Sequence, residues 1–118
     1  MWRDEAYLLD ILNAARKVLQ YTTGVAEEDF LRNELLQDAT LRQLEILGEA
    51  ARKVSQETKD GHSEIPWPEM IGLRNRLIHE YSRINLQRVW DTIQNDLPRL
   101  ITLVIPLVPP PDKTSGDV

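Results

Sequence analysis

Residues 66–81 read Pro66-Trp67-Pro68-Glu69-Met70-Ile71-Gly72-Leu73-Arg74-Asn75-Arg76-Leu77-Ile78-His79-Glu80-Tyr81. Proline is welcome in a first helical turn, where its missing N–H has no partner to lose. Met70, Leu73, Leu77 and Tyr81 then repeat at spacings of three and four, with Ile71 and Ile78 widening the stripe. That period predicts a helix from Pro66 to about Tyr81 or Ser82, with one apolar face. The flanking segments have the same character. Downstream, Asn85 is suited to cap a helix carrying Leu86, Trp90, Ile93, Leu97, Leu100 and Val104. Pro98 inside that pattern predicts a kink or a split. Upstream, Leu36, Thr40, Leu44, Leu47, Ala51 and Val54 make the inner face of a helix from about Asn33 to Thr58. Gly48 within it predicts close approach of a neighbouring helix. Leu8, Ile11, Leu12, Ala15, Val18, Leu19 and Thr22 mark another from Asp4 to Thr22, stopped at Thr23-Gly24. A short piece follows at Glu27–Arg32, and Lys59-Asp60-Gly61-His62-Ser63 reads as a loop. No segment alternates as a strand would. The expected fold is all-α, an antiparallel bundle of four to five helices.

The chain has 118 residues, 42% of them apolar and 28% charged. That suits one folded domain and leaves no room for a separate cofactor domain. Residues 1–105 are expected to form it, with residues 106–118 a proline-rich, mobile tail. There is no cysteine, hence no disulfide, thiol nucleophile or zinc–thiolate site. The charged start Met1-Trp2-Arg3-Asp4-Glu5 is unlike a signal peptide. No apolar run approaches the ~18 residues needed to cross a bilayer. Together these point to a cytoplasmic protein without a membrane partner.

Net charge is −5, which argues against coating nucleic acid by bulk attraction. The distribution is uneven. Residues 71–90 hold Arg74, Arg76, Arg83 and Arg88 against Glu80 alone, a balance of +3, which leaves −8 on the rest. An anionic ligand is expected at this basic segment.

The same segment holds the chemistry. Arg74 offers a permanent planar cation matched to phosphate oxygens. His79 can take or give a proton near neutrality. Asn75 and Arg76 stand beside the first, and Tyr81 adds a phenol two residues after the second. Guanidinium and imidazole are the minimum for metal-free RNA cleavage. The base removes the ribose 2′-OH proton, the alkoxide attacks the adjacent phosphorus, and the cation stabilises the phosphoryl oxygens. Spacing alone is weak, since ten arginines and two histidines give about 0.5 such matches by chance. His62 with Glu64 lacks a third ligand for a metal. Glu49 reads first as a solvated acid, Trp67 and Trp90 as core or dimer anchors, and Arg83 and Arg88 as solvated helix-start residues or, second, as phosphate contacts.

Arg74-Asn75-x-x-x-His79-x-Tyr81 resembles the R-x4-H-x-Y signature of the HepT family, HEPN-superfamily ribonuclease toxins paired with MntA, a minimal nucleotidyltransferase antitoxin. The likeness extends to Leu44-Glu45-Ile46-Leu47-Gly48-Glu49-Ala50-Ala51, Ile65-Pro66-Trp67-Pro68, Ile71-Gly72-Leu73, Val89-Trp90 and Asp96-Leu97-Pro98, covering about residues 3–103. The resemblance implies a HEPN-like helical homodimer and a metal-independent endoribonuclease toxin of a type VII toxin–antitoxin system, acting on tRNA or mRNA. It implies Arg74 and His79 as catalytic residues; Asn75 and Arg76, beside the arginine, are read as supporting them. It implies AMPylation of Tyr81 by the antitoxin, which uses ATP while the toxin needs no cofactor or metal. The competing expectation is a non-catalytic module that binds a nucleotidyltransferase, a nucleotide or RNA.

One geometric difficulty accompanies the motif. Five residues of ideal helix leave Arg74 and His79 about 140° apart and ~7.5 Å apart along the axis. Either the helix ends or distorts near His79, or a second subunit supplies the partner group. Dimerisation is expected to assemble the site.

Overall fold

The computed structural model describes residues 2–109. Among them are seven α-helices, two 3₁₀ turns and no strand: α1 (Trp2–Thr22), α2 (Glu27–Arg32), α3 (Glu34–Lys53), α4 (Gln56–Gly61), α5 (Trp67–His79), α6 (Leu86–Asn95) and α7 (Leu97–Val104), with 3₁₀ turns at Tyr81–Arg83 and Ile105–Leu107. The all-α expectation holds. The helix count exceeds four to five because two expected helices are divided.

The first division is at Val54, whose backbone is extended (φ −63°, ψ 141°). Asp4 of α1 causes it. Its Oδ1 accepts from the Ser55 backbone N–H at 2.9 Å, and its Oδ2 accepts from the Ser55 and Thr58 hydroxyls, each at 2.6 Å. Ser55 Oγ in turn accepts from the Thr58 N–H at 3.2 Å, capping α4. A helix running unbroken from Asn33 to Thr58 would engage the Ser55 N–H within its own ladder. The chain thus turns there, and α4 occupies part of the stretch expected as a loop. The second division is at Asp96, where Pro98 opens the first turn of α7. A proline inside a longer helix would cost an i→i−4 bond.

The remaining boundaries follow local chemistry. Gly24 ends α1 with φ 78°, a left-handed backbone that glycine adopts without a Cβ clash. Asn33 caps α3 by accepting from the Leu36 N–H, and Asn85 caps α6 by accepting from the Arg88 N–H.

α1 and α5 both pack chiefly on α3, and α7 closes on α1. Leu8, Ile11, Leu12, Ala15, Val18, Leu44, Leu47, Ala51, Val54, Met70 and Leu77 are buried in this core. Phe30 of α2 and Trp90 of α6 meet at a ring-centroid distance of 5.1 Å, so Trp90 is a core residue, as is Trp67. Leu107 and Val108 pack against the same core. The rest of the expected tail, residues 110–118, lies outside the described residues. No described helix is long and apolar enough to cross a membrane.

Candidate functional site

α5 is fixed at its start by the Trp67 indole, whose N–H donates to the His62 carbonyl at 3.0 Å. Trp67, Met70 and Leu77 are its buried face. Gly48 lets α5 lie directly on α3: a Cβ at position 48 would collide with Arg74 Cβ and stand 2.6 Å from the Met70 carbonyl oxygen. The close approach expected at this glycine is therefore with the motif helix, at the arginine itself.

Arg74 rises from that contact with its side chain only 22% exposed. Its Nε lies 2.8 Å from Glu49 Oε2, an ion pair whose N–H misses the line of a good hydrogen bond. Its Nη1 donates to Asn75 Oδ1 at 2.9 Å. Glu49 also accepts from Arg52 at 2.7 Å and has Lys53 Nζ at 3.9 Å. The hydrogen bond from Arg52 holds the Glu49 carboxyl below its ordinary pKa against the opposing effect of burial, with further help from the charges of Arg52, Arg74 and Lys53. Glu49 is thus the residue that seats the motif arginine.

α5 stops at His79. Glu80 leaves helical geometry (φ −133°, ψ 34°), its N–H bonding the Arg76 carbonyl at 2.7 Å, and Tyr81–Arg83 continue as a 3₁₀ turn. The expected extension to Tyr81 or Ser82 is shortened, and Tyr81 leaves the apolar stripe. It is 48% exposed, and its hydroxyl donates to Asp38 Oδ1 of α3 at 2.6 Å. That bond, then burial and the charges of Asp38, Glu34 and Glu45, push the phenol up to about 12. His79 is exposed, and its side chain has no hydrogen-bond or ion-pair partner among the described residues. Asn75 and Arg76 are exposed as well.

The basic segment does not face one way. Arg74 and Ile78 line a hollow of ≈ 330 Å³ with Tyr7, Asp10, Arg42, Glu45, Ile46, Glu49 and Lys53, in which three acids face three cations. Arg76, Arg83 and Arg88 instead line a groove of ≈ 630 Å³ between α5 and α6–α7, together with Arg99 and the acids Glu64, Glu69, Glu80 and Asp96. The +3 segment is thus shared between two surfaces, each locally balanced. His79 lines neither of these two hollows. His62 Nδ1 lies 3.6 Å from Glu64 Oε1, and no three histidine, aspartate or glutamate side chains converge among the described residues.

Asp38 lies outside the sequence motif, and Glu49 taken alone looks like a solvated acid. A signal for both exists: Asp38, Arg42, Glu45 and Glu49 recur at spacings of four, three and four. That is a charged stripe along one side of α3.

The chain is thus a small all-helical domain that ends its central motif helix on an exposed histidine, with a seated arginine behind it and a carboxylate-bound tyrosine beyond. The family model described as Ribonuclease HepT-like matches residues 11–107, and the chain belongs to that family. It is 36% identical over 96 residues to "Putative RNase MJ1380" of Methanocaldococcus jannaschii, covering 81% of this chain and 88% of that one. It is 38% identical over 94 residues to "Putative RNase TTE0752" of Caldanaerobacter subterraneus subsp. tengcongensis, covering 80% and 84%. It is 39% identical over 94 residues to "Probable ribonuclease HepT" of Thermococcus cleftensis, covering 80% and 86%. No solved structure matches the chain.

Proposed function

We propose that this chain is a HepT-type ribonuclease toxin, a metal-independent endoribonuclease of tRNA or mRNA. In this reading it works in the cytoplasm as a homodimer of antiparallel helical bundles. It is the toxin of a type VII toxin–antitoxin pair, silenced when an MntA-like nucleotidyltransferase attaches AMP to Tyr81. The observation that carries the reading is the end of α5: an exposed, unpartnered His79 closes the helix, and Arg74, five residues earlier, is held by Glu49 and Asn75.

His79 removes the proton from the ribose 2′-OH. The oxygen attacks the adjacent phosphorus, Arg74 stabilises the charge on the phosphoryl oxygens, and an acid protonates the departing 5′ oxygen. The second copy's arginine would add positive charge to a hollow that is balanced in one chain. AMP on Tyr81 would fill the cleft and repel the RNA backbone. ATP is used by the partner, and the toxin needs no cofactor.

The test is cleavage of total RNA in EDTA by wild type, Arg74→Ala and His79→Ala. Each substitution should lower cleavage by about 100-fold or more. Loss of wild-type activity on adding EDTA would overturn metal independence. For Tyr81, intact mass should rise by one or more AMP units after incubation with the nucleotidyltransferase and ATP, and Tyr81→Phe should abolish the rise. The balanced hollow favours one second reading, a module that binds nucleotidyltransferase, nucleotide or RNA without cutting. Identical RNA profiles from all three proteins would establish it.

A further inference from the structure

We infer that Asp38 positions the Tyr81 hydroxyl and accepts its proton during transfer of an adenylyl group from a nucleoside triphosphate. This role rests on the reading of Tyr81 as the modified residue. The two side chains are 43 residues apart in sequence, yet their oxygens are 2.6 Å apart. The contact exists because α5 ends at His79 and the 3₁₀ turn carries Tyr81 onto α3. Asp38 makes no ion pair among the described residues. Arg42, one turn along α3, is occupied by Glu45 at 3.1 Å. The phenol is therefore the partner of this carboxylate, and Tyr81 as a whole is nevertheless about half exposed.

A neutral phenol is a weak nucleophile, and the carboxylates around Tyr81 disfavour its free phenolate. Its proton must leave as the new bond forms. A lone pair of Tyr81 Oη attacks the α-phosphorus. The bond from that phosphorus to the bridging oxygen breaks, and pyrophosphate leaves with the electron pair. The hydroxyl proton passes to Asp38 Oδ1 and then to water. The product is a phosphodiester whose Oη has no proton left to donate. Its new negative charge faces Asp38, with Glu34 and Glu45 close by on the same helix. The modified side chain is thereby repelled from α3, and the adenylyl group moves toward the exposed end of α5 where His79 stands.

The experiment follows intact mass against time from pH 7 to 9. It uses the full chain, a purified MntA-type nucleotidyltransferase verified to turn over ATP, and Mg–ATP. Wild type should gain AMP at a nearly flat rate across this range, because its proton acceptor is a carboxylate. Asp38→Asn should be slower at pH 7 by about 100-fold, with a rate rising roughly tenfold per pH unit as free phenolate replaces the lost base. Asp38→Glu should recover part of the rate. Asp38→Asn at the wild-type rate and profile would overturn the role of Asp38 alone. A wild type that gains no AMP, or Tyr81→Phe that still does, would overturn the Tyr81 reading and this role with it. Ring NMR shifts check the bond without a partner. Tyr81 should remain protonated where Asp38→Asn already titrates, near the ordinary 10.0, and an unchanged titration in the variant would overturn the proposal.

Discussion

At the scale of single residues, two carboxylates do opposite work. Glu49 sits between three cations. Surface ion pairs contribute up to about 1 kcal/mol each, so its value lies in aiming Arg74. Glu49→Gln should leave the denaturation midpoint nearly unchanged while lowering RNA cleavage by roughly tenfold through misplacement of the guanidinium. Cleavage of a labelled RNA alongside a urea titration separates the two effects. Asp4 is the opposite case, buried and structural. Burial alone would raise its pKa, but the hydrogen bonds from Ser55 and Thr58 outweigh it and hold the carboxyl below its ordinary 3.8. A lowered folded pKa gives stability that is complete above the unfolded value and lost as pH falls through the folded one. Asp4→Ala leaves the Ser55 N–H and the Thr58 hydroxyl without their acceptor, at about 2 kcal/mol. Urea midpoints measured from pH 7 down to 3 should show the variant less stable at neutrality and less sensitive to acid.

At the scale of elements, the contact of α3 with α5 decides where the motif points. Gly48→Ala would gain about 1 kcal/mol of helix propensity. The added methyl meets Arg74 Cβ and the Met70 carbonyl, which belong to a helix flank and cannot turn aside. Overpacking costs typically about 1–3 kcal/mol, so the variant should be net destabilised, with a lower denaturation midpoint and an unchanged slope. It should also lose RNA cleavage, because α5 must shift at the arginine. The end of α5 at His79 matters equally. A helix continued to Ser82 would carry Tyr81 on the same face as Arg74, about 20° away. The observed 3₁₀ turn gives Tyr81 to Asp38 instead.

At the scale of the whole molecule, one chain keeps Arg74 in a balanced hollow and His79 outside it. If two copies complete each other's site, inactive Arg74→Ala and His79→Ala chains should restore activity when mixed and allowed to exchange. Random pairing gives half heterodimers with one intact composite site of two, so recovery should reach up to about a quarter of wild type. Each variant alone should remain inactive, and no recovery on mixing would place both groups of a working site on one chain. Light scattering gives the oligomeric state in the same samples.

The all-α class was legible from period alone, because Leu44, Leu47, Ala51 and Val54, like Leu8, Ile11, Leu12 and Ala15, must share a face on any helix and are buried in this one. The caps at Asn33 and Asn85, the stop at Gly24 and the split before Pro98 were legible too, since each depends on a residue's own backbone chemistry. The motif Arg74-Asn75-x-x-x-His79-x-Tyr81 stood out as well, as a concentration of phosphate-matching and proton-transferring groups. Contacts between distant segments decided the rest. Asp4 broke a helix fifty residues away, Gly48 set the seat of Arg74 beside Glu49, and Asp38 took Tyr81 out of its expected stripe. Helical periodicity and capping act within a few residues of chain. A carboxylate's partner is whatever the packing brings within hydrogen-bond reach, and that is fixed only when the helices meet.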